Sequence, residues 1–145
     1  MKEHIKKLWS QTRLQLWPEA YWLVSLPPEQ VQNAAHAVSA SAQQFAALVV
    51  ERDEVSLTLC DQAWQQFSAR LQTRAVAGPY RVITLALNLE LSITGYLLPA
   101  AARFAEAGIS IVPQGAFLKD HLLIKAEEVA RAMQVLEQLI SECQA

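Results

Sequence analysis

Between Ile83 and Ile93 the chain alternates, and the alternation limits the fold more than any other stretch. Ile83, Leu85, Leu87, Leu89, Leu91 and Ile93 are aliphatic, while Thr84, Asn88, Glu90, Ser92 and Thr94 between them are polar. A period of two is the signature of a strand with one buried and one wetter face, because successive side chains leave a strand on opposite sides. The run is about twice the usual strand length, so it reads as two strands in succession that serve two halves of the molecule. A membrane-spanning helix is the competing reading of residues 82–102, which carry a single charge, Glu90, and have about the required length. The strict alternation, Gly95 and Pro99 argue against it.

The rest of the chain supplies the partners of those strands. Residues 1–10 read as a short helix ending near Trp9, 12–16 as a strand and 21–26 as a second strand stopped by Pro27-Pro28. Val31, Ala34, Ala35 and Val38 recur at helical spacing, giving a helix over 29–41. Two apolar runs, 45–51 and 55–60, flank Arg52-Asp53-Glu54 as a hairpin. Asp61 is placed to cap a helix with Trp64, Phe67 and Leu71 on its apolar side. Gly78-Pro79 is then the natural break between halves. Beyond the alternating run, Thr94 is placed to cap a helix through Ala107, with Leu97, Leu98, Ala101, Phe104 and Ala105 on its apolar face. Gly108 stands where a left-handed residue ends a helix. Residues 109–112 and 122–124 read as strands, and Glu127-Glu128 open a last helix whose buried side is Val129, Ala132, Met133, Leu136 and Ile140.

The order strand–helix–strand–strand–helix therefore occurs twice, at about 21–71 and 88–142. That is the split βαβ, ferredoxin-like order, which needs one more strand per copy. Residues 80–86 close the first copy. For the second, only the strand at 12–16 is spare. The expected class is α+β: two ferredoxin-like halves with antiparallel sheets and helices on one face. The expected division is an N-terminal segment at 1–11, a degenerate half at 12–86 and a second half at 87–145.

Composition removes several function classes. Of the 145 residues 52% are apolar and 18% charged, which excludes a disordered chain. The net charge is −2 and the single basic run, Lys6-Lys7, is too short to track a phosphate backbone, so no nucleic-acid partner is expected. No membrane partner is expected either. Cys60 and Cys143 form no CxxC spacing and read as free thiols in a reducing, cytoplasmic setting. His4, His36 and His121 have no metal-ligand spacing. No phosphate loop, nucleophile elbow or dinucleotide fingerprint is present, so neither a cofactor nor an enzyme activity is expected. Trp9, Trp17, Trp22 and Trp64 read as core and interface rather than stacking platforms.

Residues 91–125, LSITGYLLPAAARFAEAGISIVPQGAFLKDHLLIK, resemble an ACT domain, the small regulatory module found beside many enzymes of amino-acid metabolism. The resemblance rests on Thr94-Gly95, the helix after it, Ala107-Gly108-Ile109-Ser110-Ile111, and the strand Asp120-His121-Leu122-Leu123-Ile124. It is similar in particular to the stand-alone tandem-ACT proteins related to CASTOR. Phe45 to Leu59, FAALVVERDEVSLTL, resembles the N-terminal hairpin of that family, and the resemblance spans most of 12–142.

The resemblance implies a protein that binds an amino acid or similar small molecule between two ACT units, and a homodimer. It implies one wall at Leu91, Ser92, Ile93, Thr94 and Gly95, and another at Ser110, Ile111 and Asp120 of a neighbouring unit. The residue types suit that task. Gly95 lets a backbone approach a ligand closely, helix-start N–H groups favour a carboxylate, and Asp120 suits an ammonium. The chain departs from the family pattern at Leu87-Asn88, where a Gly-Pro turn is common. It departs again at Gly115 to His121, where hydroxyl residues are replaced and Lys119 is new. The alternative is a structural or partner-binding protein on the same fold with no working ligand site.

Overall fold

The structure, a computed structural model, describes residues 1–41 and 43–145. Its elements are α1 (Glu3–Gln11), β1 (Arg13–Leu16), β2 (Tyr21–Leu26), α2 (Val31–Ser39), β3 (Ala47–Val50), β4 (Val55–Cys60), α3 (Asp61–Phe67), β5 (Ala75–Ala86), α4 (Leu98–Glu106), β6 (Ile111–Gly115), β7 (Asp120–Lys125) and α5 (Val129–Gln144). They fall into two compact units: a central one, residues 17–81, and a terminal one, residues 1–16 with 82–145. Strand β5 runs from one unit into the next, and the units meet at 81/82 where the sequence suggested 86/87.

In the central unit the strand order is β3-β4-β2-β5. All three pairings are antiparallel, with Tyr21 opposite Cys60, Ala47 opposite Thr58 and Ser25 opposite Ala75. Helices α2 and α3 bury Ala34, Ala37, Ala63 and Phe67, and the His36 ring meets Phe67 edge-on at 5.4 Å. This is a complete βαββαβ unit. Asp61 does not cap α3 with its side chain. Its carboxylate instead accepts the Trp22 indole N–H at 2.8 Å, tying the helix start to β2.

Gly78-Pro79, expected as a break, lies inside β5. The strand continues because β2 is irregular opposite it, the register shifting between Tyr21 and Leu23. Gly78 has φ +141°, and a Cβ there would stand 2.8 Å from Trp22 Cε3 and 2.9 Å from the Tyr21 carbonyl oxygen. Both the left-handed backbone and the contact demand glycine. Gly78→Ala should therefore cost about 2 kcal/mol or more, read as a lowered urea midpoint; an unchanged midpoint would refute the role of Gly78.

In the terminal unit the order is β1-β5-β7-β6. Here β1 pairs antiparallel with the end of β5, Leu16 opposite Ile83, and β6 pairs antiparallel with β7. The strand at 13–16 thus supplies the fourth strand of the C-terminal unit from the N-terminal end of the chain. Ile83 and Leu85 of β5 and Leu122 and Ile124 of β7 turn one face to the helices. There they meet Ile5 and Trp9 of α1, Ala100 and Phe104 of α4, and Ala132, Leu136 and Leu139 of α5. In α1 the buried pair is spaced by four, one face of a helix. The Arg103 guanidinium on α4 donates to the Glu142 carboxylate on α5 at 2.5 Å.

The alternating run does not form strand to its end. The strand stops at Ala86, and residues 87–97 form a loop. Leu87, Leu89, Ile93 and Leu97 still pack against the core, so the apolar positions are explained by a loop laid over the end of the core. Thr94 does not cap α4: the helix starts four residues later, with Leu97 at the cap position and Pro99 in the first turn. Proline, with its fixed φ and missing N–H, suits that turn. Strand β6 starts at Ile111, not at 109, because Gly108 (φ +71°) ends the helix and the Ile109 N–H still bonds the Phe104 carbonyl at 2.9 Å.

Candidate functional site

The loop 87–97 faces the β6–β7 turn, and the two enclose a cleft of about 280 Å³ in the terminal unit. Leu89 ties one wall to the other, its N–H donating to the Leu118 carbonyl at 2.8 Å. Ile93 closes a turn onto the Glu90 carbonyl at 3.1 Å, and Ala116 closes the hairpin onto the Lys119 carbonyl at 2.9 Å. The loop is clamped again at Tyr96. Its ring stacks on Trp9 with centroids 4.7 Å apart and planes 10° from parallel. The Trp9 indole N–H donates to the Tyr96 carbonyl at 2.7 Å, and the Tyr96 hydroxyl lies 2.6 Å from Thr12 Oγ1. Burial pushes the Tyr96 hydroxyl up to about 12, the Thr12 bond opposing and the Asp120 charge adding to it.

Leu89, Leu91, Ile93 and Leu97 from the loop and Phe117 and Leu118 from the turn give the cleft apolar walls. The charged groups on it are Glu90, Lys119 and Asp120. Asp120 begins β7, in register with Gly115. By the period of two it shares the face of Leu122 and Ile124, the face turned to the helices. It is a carboxylate at the margin of an apolar core, and burial raises its pKa, with His121 opposing. His121 points to the other face, where its Nδ1 lies 2.7 Å from Thr84 Oγ1. Burial lowers the His121 pKa, Asp120 opposing.

The raised Asp120 pKa has a signed consequence. The folded state binds the proton more tightly than the unfolded chain does. The ionised carboxylate therefore weighs against folding above its folded pKa, and that weight lifts as pH falls through the carboxylate range. Asp120→Asn should be more stable than the parent protein at pH 7, and the gap should close as the pH approaches about 4. Denaturant midpoints at the two pH values measure this. Equal midpoints at pH 7 would mean that the carboxylate is well solvated.

Of the residues singled out from the sequence, Leu91, Ile93, Gly95 and Asp120 line this cleft together. Ser92 sits exposed in the turn between Leu91 and Ile93 and is not on its wall. Thr94 faces a separate open groove of about 1140 Å³ along α1, α4 and α5, which Gly95 also borders. Ser110 and Ile111 are elsewhere: Ile111 pairs with Ile124, at the opposite end of the hairpin from Gly115 and Asp120. Four residues of strand separate them, roughly 13 Å. In a βαβ unit the second strand starts at the end of the sheet where the first strand starts, so Ser110 cannot lie beside the loop that follows β5 in the same unit.

Sequence reasoning missed Leu89, Tyr96, Leu97, Phe117, Leu118 and Lys119 as wall residues. One signal was available: Phe117-Leu118, two large apolar residues in a turn between strands, where polar residues are usual. Among the described residues no three His, Cys, Asp or Glu side chains converge as a metal site, and no helix is long and apolar enough to cross a membrane.

No protein-family profile and no curated protein matches the chain. Solved structures do. A Vibrio cholerae protein of unknown function, termed a possible transport protein, is 24% identical, with a TM-score of 0.68 over 94% of this chain and 95% of its own. An Agobacterium tumefaciens protein is 19% identical, with a TM-score of 0.65 over 89% of each chain. The regulatory subunit of aspartate kinase from Thermus thermophilus, in its ligand-free form, is 14% identical, with a TM-score of 0.61 over 88% of this chain and 97% of its own. At these identities the shared property is the fold, which is α+β and ferredoxin-like, with antiparallel sheet and helices.

Proposed function

We propose that the protein binds a free amino acid in the cleft between the loop 87–97 and the β6–β7 turn, and acts as a regulatory or sensor module rather than an enzyme. The observation that carries this is Asp120, a carboxylate with a raised pKa on the core-side face of β7, set in a cleft with apolar walls. A carboxylate in that setting gains most from a partner cation, and an α-ammonium is a small one. Lys119 on the same cleft suits the ligand carboxylate. The likeness to an aspartate kinase regulatory subunit supports a regulatory reading. The binding unit is a homodimer, in which Ser110 and Ile111 reach the cleft only from a second copy.

A thermal-shift screen of the full chain against the twenty amino acids tests this. A ligand present at 100 times its Kd stabilises the folded protein by about 2.7 kcal/mol, a rise of several degrees. Stabilisation by one or a few amino acids is the expected outcome. A flat response across all twenty, at millimolar concentrations, would leave a structural or partner-binding protein as the better reading.

A further inference from the structure

We infer that the side chain of the bound amino acid is apolar, aliphatic or aromatic, and that Leu91, Phe117 and Leu118 select it. This rests on the amino-acid reading above and narrows it to a class. Leu91 is 72% exposed, Phe117 75% and Leu118 45%, and all three border the same cleft. Large apolar side chains left open to water around one small cavity mark a surface that something covers. The cavity, about 280 Å³, lies just below the usual range for small-molecule sites, so it suits a ligand with a few side-chain atoms.

The charges assign the rest. With Asp120 holding the ammonium and Lys119 the carboxylate, one charged group remains on the cleft, Glu90, and it is exposed. An exposed ion pair with Glu90 adds little, so a cationic side chain gains little there and loses hydration against the leucine walls. An anionic side chain meets Glu90 and Asp120 with like charge. An aliphatic or aromatic side chain meets Leu91, Phe117 and Leu118 and removes both surfaces from water. Each methylene so buried is worth roughly a factor of four in affinity.

The test is calorimetric titration of the full chain with leucine, phenylalanine, alanine, aspartate and arginine. Leucine or phenylalanine should bind roughly tenfold or more tighter than alanine, and tighter than either charged amino acid. Leu91→Ser with Phe117→Ser changes two exposed side chains, so the fold is retained. It should reduce the leucine-to-alanine ratio several-fold while alanine affinity moves little. Tight binding of aspartate or arginine with weak binding of leucine overturns this inference and leaves the amino-acid reading standing, as does an unchanged ratio in the double variant. Binding of none of the five in a protein that the twenty-member screen also leaves unmoved overturns both.

Discussion

Trp9→Ala should be the most damaging single substitution in the terminal unit, lowering stability by about 3–5 kcal/mol. Trp9 is 0% exposed, so the truncation leaves a cavity between α1 and the core it covers. It also removes the ring stacked on Tyr96 and the donor to the Tyr96 carbonyl. A buried carbonyl that loses its donor adds about 1–3 kcal/mol to such a loss. Domains of this size are stable by about 5–15 kcal/mol in all, so the variant should be partly unfolded or unfold at a much lower urea concentration. Trp9→Phe separates the contributions. It keeps an aromatic ring against Tyr96, loses the indole N–H and part of the ring volume, and should cost less than Trp9→Ala. A Trp9→Ala loss below about 1 kcal/mol would mean that α1 is peripheral and that the loop 87–97 is held from elsewhere.

The same contact shows where sequence reading reached its end. Strands β2 and β4 were legible to the residue, because Val55, Leu57 and Leu59 alternate and the chain is punctuated at Pro27 and Asp61. The strand at 13–16 was legible as well, since the element order left one strand missing and one spare. What failed has a common cause. Leu87, Leu89, Leu91 and Ile93 keep a period of two, but Leu87, Leu89 and Ile93 record the packing of a loop on the core end rather than strand pairing, and Leu91 is exposed. Local pattern cannot separate those cases, because both place every second side chain against apolar neighbours. Thr94 had the right residue type for a cap and the wrong position, since Pro99 decides where α4 begins. Gly78-Pro79 carried the composition of a break, but the irregular pairing of β2 absorbs it within a strand. In the candidate site, Gly95 and Asp120 were named through the family resemblance, their residue types suiting a ligand. Tyr96 was not, because its three anchors come from Trp9 and Thr12, 87 and 84 residues away along the chain.

Asp120→Ala should nearly abolish binding of the amino acid while leaving the fold intact. Truncating one partner of a desolvated, hydrogen-bonded charge pair costs about 2–5 kcal/mol, a rise in Kd of roughly 30-fold to several thousandfold. Most of that is the ligand ammonium left without a partner against Leu97 and the other apolar walls. Folding should not suffer, since burial already disfavours the ionised carboxylate in the unliganded protein. The variant should therefore melt at or above the parent temperature without ligand, and fail to shift when the ligand is added. Gly95→Val provides an independent test from the opposite wall. Gly95 has φ +83°, and a Cβ built there meets no atom within 4 Å beyond its chain neighbours, so the added side chain would stand in open space at a residue that lines the cleft. It should weaken binding by obstruction, with a modest stability cost from the left-handed backbone. If Asp120→Ala leaves the affinity unchanged, the ammonium is held elsewhere. If it lowers the melting temperature sharply without ligand, Asp120 is a structural residue of the β6–β7 turn and the cleft has lost the group that defines it.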